Sequence, residues 1–208
     1  MGRKPLSSSI LIRWGGLASI VGGALWALTP LRETLFGGRA PEHPVFRPYN
    51  FVLVVIAVLL IVGLLALRNR YKGRYGRLGA AGVIVIFVGY AMIFFGSIPA
   101  VLLSSDGLRG LILAGQDLGF LGALVSGVGA ILLGIALWRA RAASRLGALL
   151  LIIALPVGFV GVVLVAAIGL VDIAGLALTV PYGGAWVILG SQLWSLRGTA
   201  AEQPSRVR

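Results

Sequence analysis

Three observations predict an all-helical (all-α), polytopic membrane protein, a six-transmembrane-helix bundle with both termini cytoplasmic. The first is composition: of 208 residues, 59% are hydrophobic and 12% charged, against about 25% charged in a soluble domain. The second is length, because the apolar residues gather into six stretches able to cross a bilayer. The third is charge. The chain carries a net +12, and its basic residues concentrate in alternate connections, as the positive-inside rule requires. No polar block is large enough for a separate soluble domain. Residues 10–197 therefore read as one transmembrane domain, after a lead of residues 1–9 and before a tail, 198–208, expected to be disordered.

The first span is placed at 10–29 and read as an uncleaved helix. Its row of small residues, Gly15, Ser19, Gly23 and Ala27, suits permanent packing. Arg13 lies within a turn of its end and can snorkel to the headgroups. Pro30 stops the helix. Residues 31–50 form the longest loop, with three prolines, two glycines and mixed charges. The second span, 51–67, has one glycine, Gly63, and no small-residue row. It is expected at the rim of the bundle, facing lipid. The run 68–77 follows, with five basic and no acidic residues.

The third span, 78–103, carries Gly82, Gly89 and Gly96 at intervals of seven, and Pro99 should kink or end it. The fourth, 117–138, is the clearest. Leu118 to Trp138 is 21 residues without a charge, about 31 Å of helix. Two rows of small residues run along it: Gly115, Gly119, Ala123, Gly127, and Gly122, Ser126, Ala130, Gly134. Such rows let backbones approach closely in lipid. The fourth helix is therefore expected at the centre of the bundle. Residues 104–116 allow two readings, a short interfacial helix capped by Ser105–Asp106, or an early start to a long, tilted fourth helix. The fifth span, 146–170, has Pro156 near its middle. The sixth, 174–196, carries Pro181 followed by Gly183 and Gly184, which predicts a break in its outer third.

Orientation follows from the charges. Six spans put both termini on one side, and that side carries 14 of the 18 basic residues. Five of the six acids fall on the other. Trp14, Trp138 and Trp194 are expected near the inner surface, Trp26 and Trp186 towards the outer one. Arginine outnumbers lysine 16 to 2, which points to a GC-rich bacterial genome and so to a bacterial inner membrane. Arg13-Trp-Gly, Arg77-Leu-Gly and Arg145-Leu-Gly each open an outward helix, 64 and 68 residues apart. Three duplicated α-hairpins would produce that pattern, and so would topology rules acting alone.

Most chemistry is excluded. Cysteine is absent and His43 is the only histidine, which removes disulfides, thiolate metal sites and multi-histidine metal or haem sites. No catalytic motif is present: no GxSxG, no HExxH, no phosphate-binding lysine loop, no paired acids within a span. No catalytic residue, metal site or cofactor is assigned, and enzymatic activity is not expected. The basic residues suit anionic lipid headgroups, not nucleic acid. His43, beside Glu42 in the long loop, reads as a solvated surface residue.

Two roles fit Asp117. At the start of a span from Leu118 it would sit at a helix N-terminus, where the dipole favours an anion. Deeper, it would form a polar or proton-binding site. Arg109 and Asp172 read as loop charges near the same surface. The outer halves of several helices share polar or irregular residues: Tyr90, Ser97 and Pro99, then Gln116 and Asp117, then Thr179, Tyr182 and Trp186. Broken helices beside a polar cavity are a common way to build a solute site in a membrane.

Two functions follow. The first is a non-catalytic membrane subunit or scaffold, packing with itself or another membrane protein through rows of small residues: Gly15, Ser19 and Gly23; Gly82, Gly89 and Gly96; Gly119, Gly122, Ser126 and Gly127. The second is a small-solute binding or transport protein with an outward-facing pocket. In size, span number and termini-in topology the chain looks like the substrate-binding components of energy-coupling vitamin transporters. That resemblance implies a small-residue face of the first helix docking onto a coupling subunit, a face that Gly15, Ser19, Gly23 and Ala27 would supply.

Overall fold

The computed structural model describes residues 6–31, 44–103, 108–169 and 174–195. The expectations for His43, a Ser105–Asp106 cap, Asp172 and the tail 198–208 fall outside them. Among the described residues are six helices long and apolar enough to cross a membrane. They are α1 (Leu6–Leu28), α2 (Phe46–Tyr71), α3 (Gly76–Leu102), α4 (Arg109–Ala140), α5 (Arg145–Ala167) and α6 (Leu176–Ser195).

Each helix packs antiparallel on the next, and α6 packs on α1, so the six close into a ring. The most extensive contacts are α3 on α4 and α1 on α6, on opposite sides of that ring. Residues 72–75 and 141–144 join helices at one end, here the basic end. The starts of α1 and α5 and the end of α6 gather there too. The Arg13 guanidinium lies 4.9 Å from the Trp194 ring centre, a cation–π contact. The Ser144 amide donates to Gln192 Oε1 at 2.9 Å, and Ser144 Oγ caps α5 by accepting from the Gly147 amide at 2.9 Å.

Glycine makes both large contacts possible. On α3, Gly82, Gly89 and Gly96 meet Gly129, Gly122 and Gly115 of α4, glycine against glycine every seven residues. A Cβ on Gly89 would stand 2.5 Å from the Ser126 amide nitrogen, and one on Gly122 would stand 2.6 Å from the Gly89 carbonyl oxygen. The α1–α6 contact repeats the device. A Cβ on Gly23 would lie 2.6 Å from the Gly183 carbonyl oxygen, and one on Gly190 would lie 2.6 Å from that of Gly16. Gly15 and Ser19 press instead on Ala66 and Gly63 of α2. On the other side of α4, Gly127 and Gly134 admit Leu155 and Leu151 of α5.

Several expectations change. The α4 contact row is Gly115, Gly122 and Gly129, at intervals of seven. Gly119 lends its backbone to this contact, its amide nitrogen 2.8 Å from where a Cβ on Gly96 would stand, but a Cβ on Gly119 itself would meet nothing within 4 Å. Helix α4 is not central; it is one member of the ring, between α3 and α5. Helix α2 turns one face outward like the other members of the ring, with Phe51, Val52, Val58 and Leu65 exposed, but it is not the loosest helix. Ile56, Leu60, Leu64 and Leu67 are fully buried on its inner face, and Leu60 fills the space left by Gly22 of α1. The helix that buries least of its span is α5. Helix α2 starts five residues earlier than expected, since Pro48 sits in its first turn, where the missing N–H costs nothing. Helix α6 continues through Pro181 without a break, and Gly183 serves the approach to α1. The small-residue face of α1 is buried against α2 and α6, so it is not free to dock on a coupling subunit.

Helix α4 is a single 32-residue helix, which settles the reading of residues 109–116 in favour of the early start. Asp117 is its ninth residue and exposed, not a helix N-terminus. Trp186, expected at an interface, is fully buried.

These contacts separate glycines that hold the ring from one that does not. Gly89→Ala should destabilise the protein by about 1–3 kcal/mol through backbone displacement, while Gly119→Ala should be neutral or stabilising by up to about 1 kcal/mol from helix propensity. Thermal unfolding in mild detergent measures both, and equal losses would refute the seam.

Candidate functional site

The ring is filled unevenly. Towards the basic end its interior is packed with aliphatic side chains, among them Leu64, Leu67, Leu133, Leu137 and Leu193. Towards the far end this packing stops, and a cavity of about 470 Å³ opens between the helices, lined by residues of all six. Such a volume is typical of small-molecule sites.

The walls are mainly apolar, with Leu53, Ile93, Phe120 and Leu178 among them. Gly96, Gly115 and Gly119 expose backbone where α3 and α4 meet. Six polar side chains face in: Thr29, Tyr49, Asn50, Ser97, Gln116 and Thr179. None is charged. A second, small cavity of about 20 Å³ is bounded by Trp26, Ser126 and Tyr182, and that is space for about one water-sized group. Both cavities share Trp26, Ala123, Leu124 and Leu178, so they adjoin. Along α4 their lining runs from Gly115 to Gly127, about 18 Å of helix.

Below them lies a cluster of aromatic rings. The Tyr90 and Tyr182 hydroxyls are hydrogen-bonded at 2.7 Å. The Trp26 and Tyr182 ring centres are 5.9 Å apart, and those of Tyr90 and Trp186 are 6.1 Å apart, both tilted as aromatic pairs prefer. Tyr90 and Trp186 are fully buried. These rings end the cavity and begin the aliphatic packing.

Of the residues singled out in sequence, Ser97, Gln116 and Thr179 line the large cavity, and Tyr182 and Ser126 the small one. Tyr90 and Trp186 lie beneath. Asp117 is apart from them, on the exposed face of α4. Neither a dipole-stabilised cap nor a carboxylate in a polar site describes it. Four contributors are not among the residues the sequence singles out. Asn50 is buried and donates from Nδ2 to the Phe46 carbonyl at 2.9 Å, and both it and Tyr49 fall in what the sequence presents as a loop. Thr29 stands at a helix end, and Trp26 has the position of an interfacial aromatic. A helical register carried back from Phe51 through Pro48 would have exposed Asn50 as a polar residue facing the interior. Among the described residues, no group of three or more His, Cys, Asp or Glu could hold a metal ion.

No family model matches this chain, and no curated protein or solved structure does either.

The tyrosine pair gives a measurable energy. Tyr90→Phe should cost about 0.5–1.5 kcal/mol, the net value of an ordinary hydrogen bond. A loss above about 3 kcal/mol in thermal unfolding would mean that the hydroxyl does more than bond its partner.

Proposed function

We propose that this protein is a multi-pass membrane protein that holds a small solute in the interhelical cavity, as a binding or transport component. The observation that supports this reading is the contrast between its two halves. A bundle acting only through its outer surface has no reason to leave one half open while packing the other with leucine. The cavity also offers what small ligands need, apolar walls with a few placed polar groups. Its chemistry suits binding more than catalysis, because among the described lining residues the serine and threonine hydroxyls have no charged acid–base partner and no metal cluster is present.

The subunit or scaffold reading rests on the exposed outer faces, most of all α5, with Val157, Phe159, Val160, Val163 and Leu164. Contact with lipid tails calls for the same faces. The cavity therefore carries more weight. In the proposed orientation the basic end faces the cytoplasm and anionic headgroups, in a bacterial inner membrane, and the cavity opens on the opposite side.

Two experiments test this. Native mass spectrometry after mild detergent extraction should find a small-molecule adduct on the wild-type protein and none on Gly119→Phe, whose side chain enters the cavity where a Cβ meets no clash. Identical spectra without an adduct would remove the reading. The absence of native cysteine makes single-cysteine labelling clean. An impermeant maleimide should label Leu108→Cys in intact cells and Arg74→Cys only after lysis, and the reverse result would invert the topology.

A further inference from the structure

Hydrogen-bond donors gather at the cavity floor. The Tyr90 and Tyr182 hydroxyls are 2.7 Å apart, so one donates to the other, and the second proton has only the nearby Ser126 hydroxyl as a protein acceptor. The Trp186 indole lies beside both hydroxyls. Its Nε1–H is buried and, though near both hydroxyls, makes no well-aligned hydrogen bond to either. Three of the polar groups higher in the cavity spend a proton close by, whereas no acceptor among the described residues answers Ser97 or Gln116. Thr29 Oγ1 donates to the Trp26 carbonyl at 2.8 Å, Asn50 Nδ2 to that of Phe46 at 2.9 Å, and Thr179 Oγ1 to that of Gly175 at 3.2 Å.

The direction of the tyrosine bond follows from position. Tyr182 borders the small cavity, whereas Tyr90 borders neither. Stranding a proton in apolar surroundings costs free energy. The arrangement that avoids it has Tyr90 donating to Tyr182, and Tyr182 donating into the small cavity. Ser126 Oγ, on the same wall, competes for that proton and gives its own to the Ala123 carbonyl at 2.9 Å.

Resting on the solute-binding reading, we propose that the ligand is an uncharged, largely apolar molecule bearing a carbonyl-type oxygen, seated with that oxygen at the Tyr182 hydroxyl. The small cavity has room for about one such group, and the wider cavity holds the rest. Among the described lining residues, a cation would find no carboxylate and an anion no lysine or arginine.

A matched pair of probes tests this: duroquinone, and durene, its hydrocarbon counterpart without the two oxygens. Equilibrium dialysis with protein in lipid nanodiscs, corrected by empty nanodiscs, gives both affinities. Wild-type protein should prefer duroquinone by about tenfold or more, the worth of one buried hydrogen bond. Tyr182→Phe should abolish the preference while leaving durene binding unchanged. Ser126→Ala, which removes the competing oxygen, should strengthen it. Equal binding of the two probes by the wild type overturns the acceptor assignment and leaves the solute reading standing. Binding of neither overturns it as well, and the adduct comparison with Gly119→Phe then separates a different solute from none.

Discussion

Backbone contact between helices is the constraint on which the rest of this structure depends. In lipid, helices gain nothing by hiding apolar side chains from each other, since hydrocarbon surrounds them already. They associate through dispersion, which needs close approach over a long contact. Glycine supplies that approach on both large interfaces. On the α3–α4 contact it recurs at Gly82, Gly89 and Gly96 against Gly129, Gly122 and Gly115. At Gly16 and Gly23 against Gly190 and Gly183 it closes α6 onto α1. The second contact joins the first helix to the last, and without it the chain would be an open row of hairpins with no interior.

Closing a ring of six helices creates a central space that two tight interfaces cannot fill, and the chain treats its two halves differently. Near the basic end, leucine and isoleucine from α2 to α6 occupy it. That explains why α2 needs no row of small residues: its role is to supply volume. Near the far end the facing positions are small or polar, such as Gly96, Gly119, Ser97 and Thr179, and the space stays open. The same residue type thus serves two purposes. Gly115 brings helices together and also borders the cavity, while Gly119 offers Gly96 only its backbone and keeps the wall thin.

Helix number and approximate spans were legible because bilayer thickness sets a length that any apolar run reveals. The α3 spacing of seven was legible too. Its partner on α4 was not, because Gly115 and Gly122 each belong to a spacing of four as well, and only the facing helix decides which spacing makes contact. Helix ends failed where proline misled. Pro48 and Pro181 look like breaks, but Pro48 lies in the first turn of α2, where a proline interferes least, and Pro181, in the second turn of α6, removes one backbone bond without ending the helix. The candidate site was half legible. Ser97, Gln116, Thr179 and Tyr182 stood out as polar residues in apolar runs, but Asn50 and Trp26 depended on the true start of α2 and the closure onto α1. Asp117 attracted attention through its charge, yet its direction around the helix, which no local pattern fixes, turns it outward.

The floor of the cavity is where polar groups are most costly and most informative. A phenylalanine at position 90 or 182 would fill nearly the same volume with no hydroxyl to satisfy. Each buried donor left without a partner costs about 1–3 kcal/mol, and Trp186 carries one. Packing alone therefore does not account for two tyrosines and a tryptophan at the boundary between filled and open halves. Under the solute-binding proposal, a neutral molecule leaves neither ion pairing nor metal coordination to use. Shape and directed hydrogen bonds are what remain, and Tyr182, which borders the small cavity with Tyr90 and Trp186 packed beneath it, offers both.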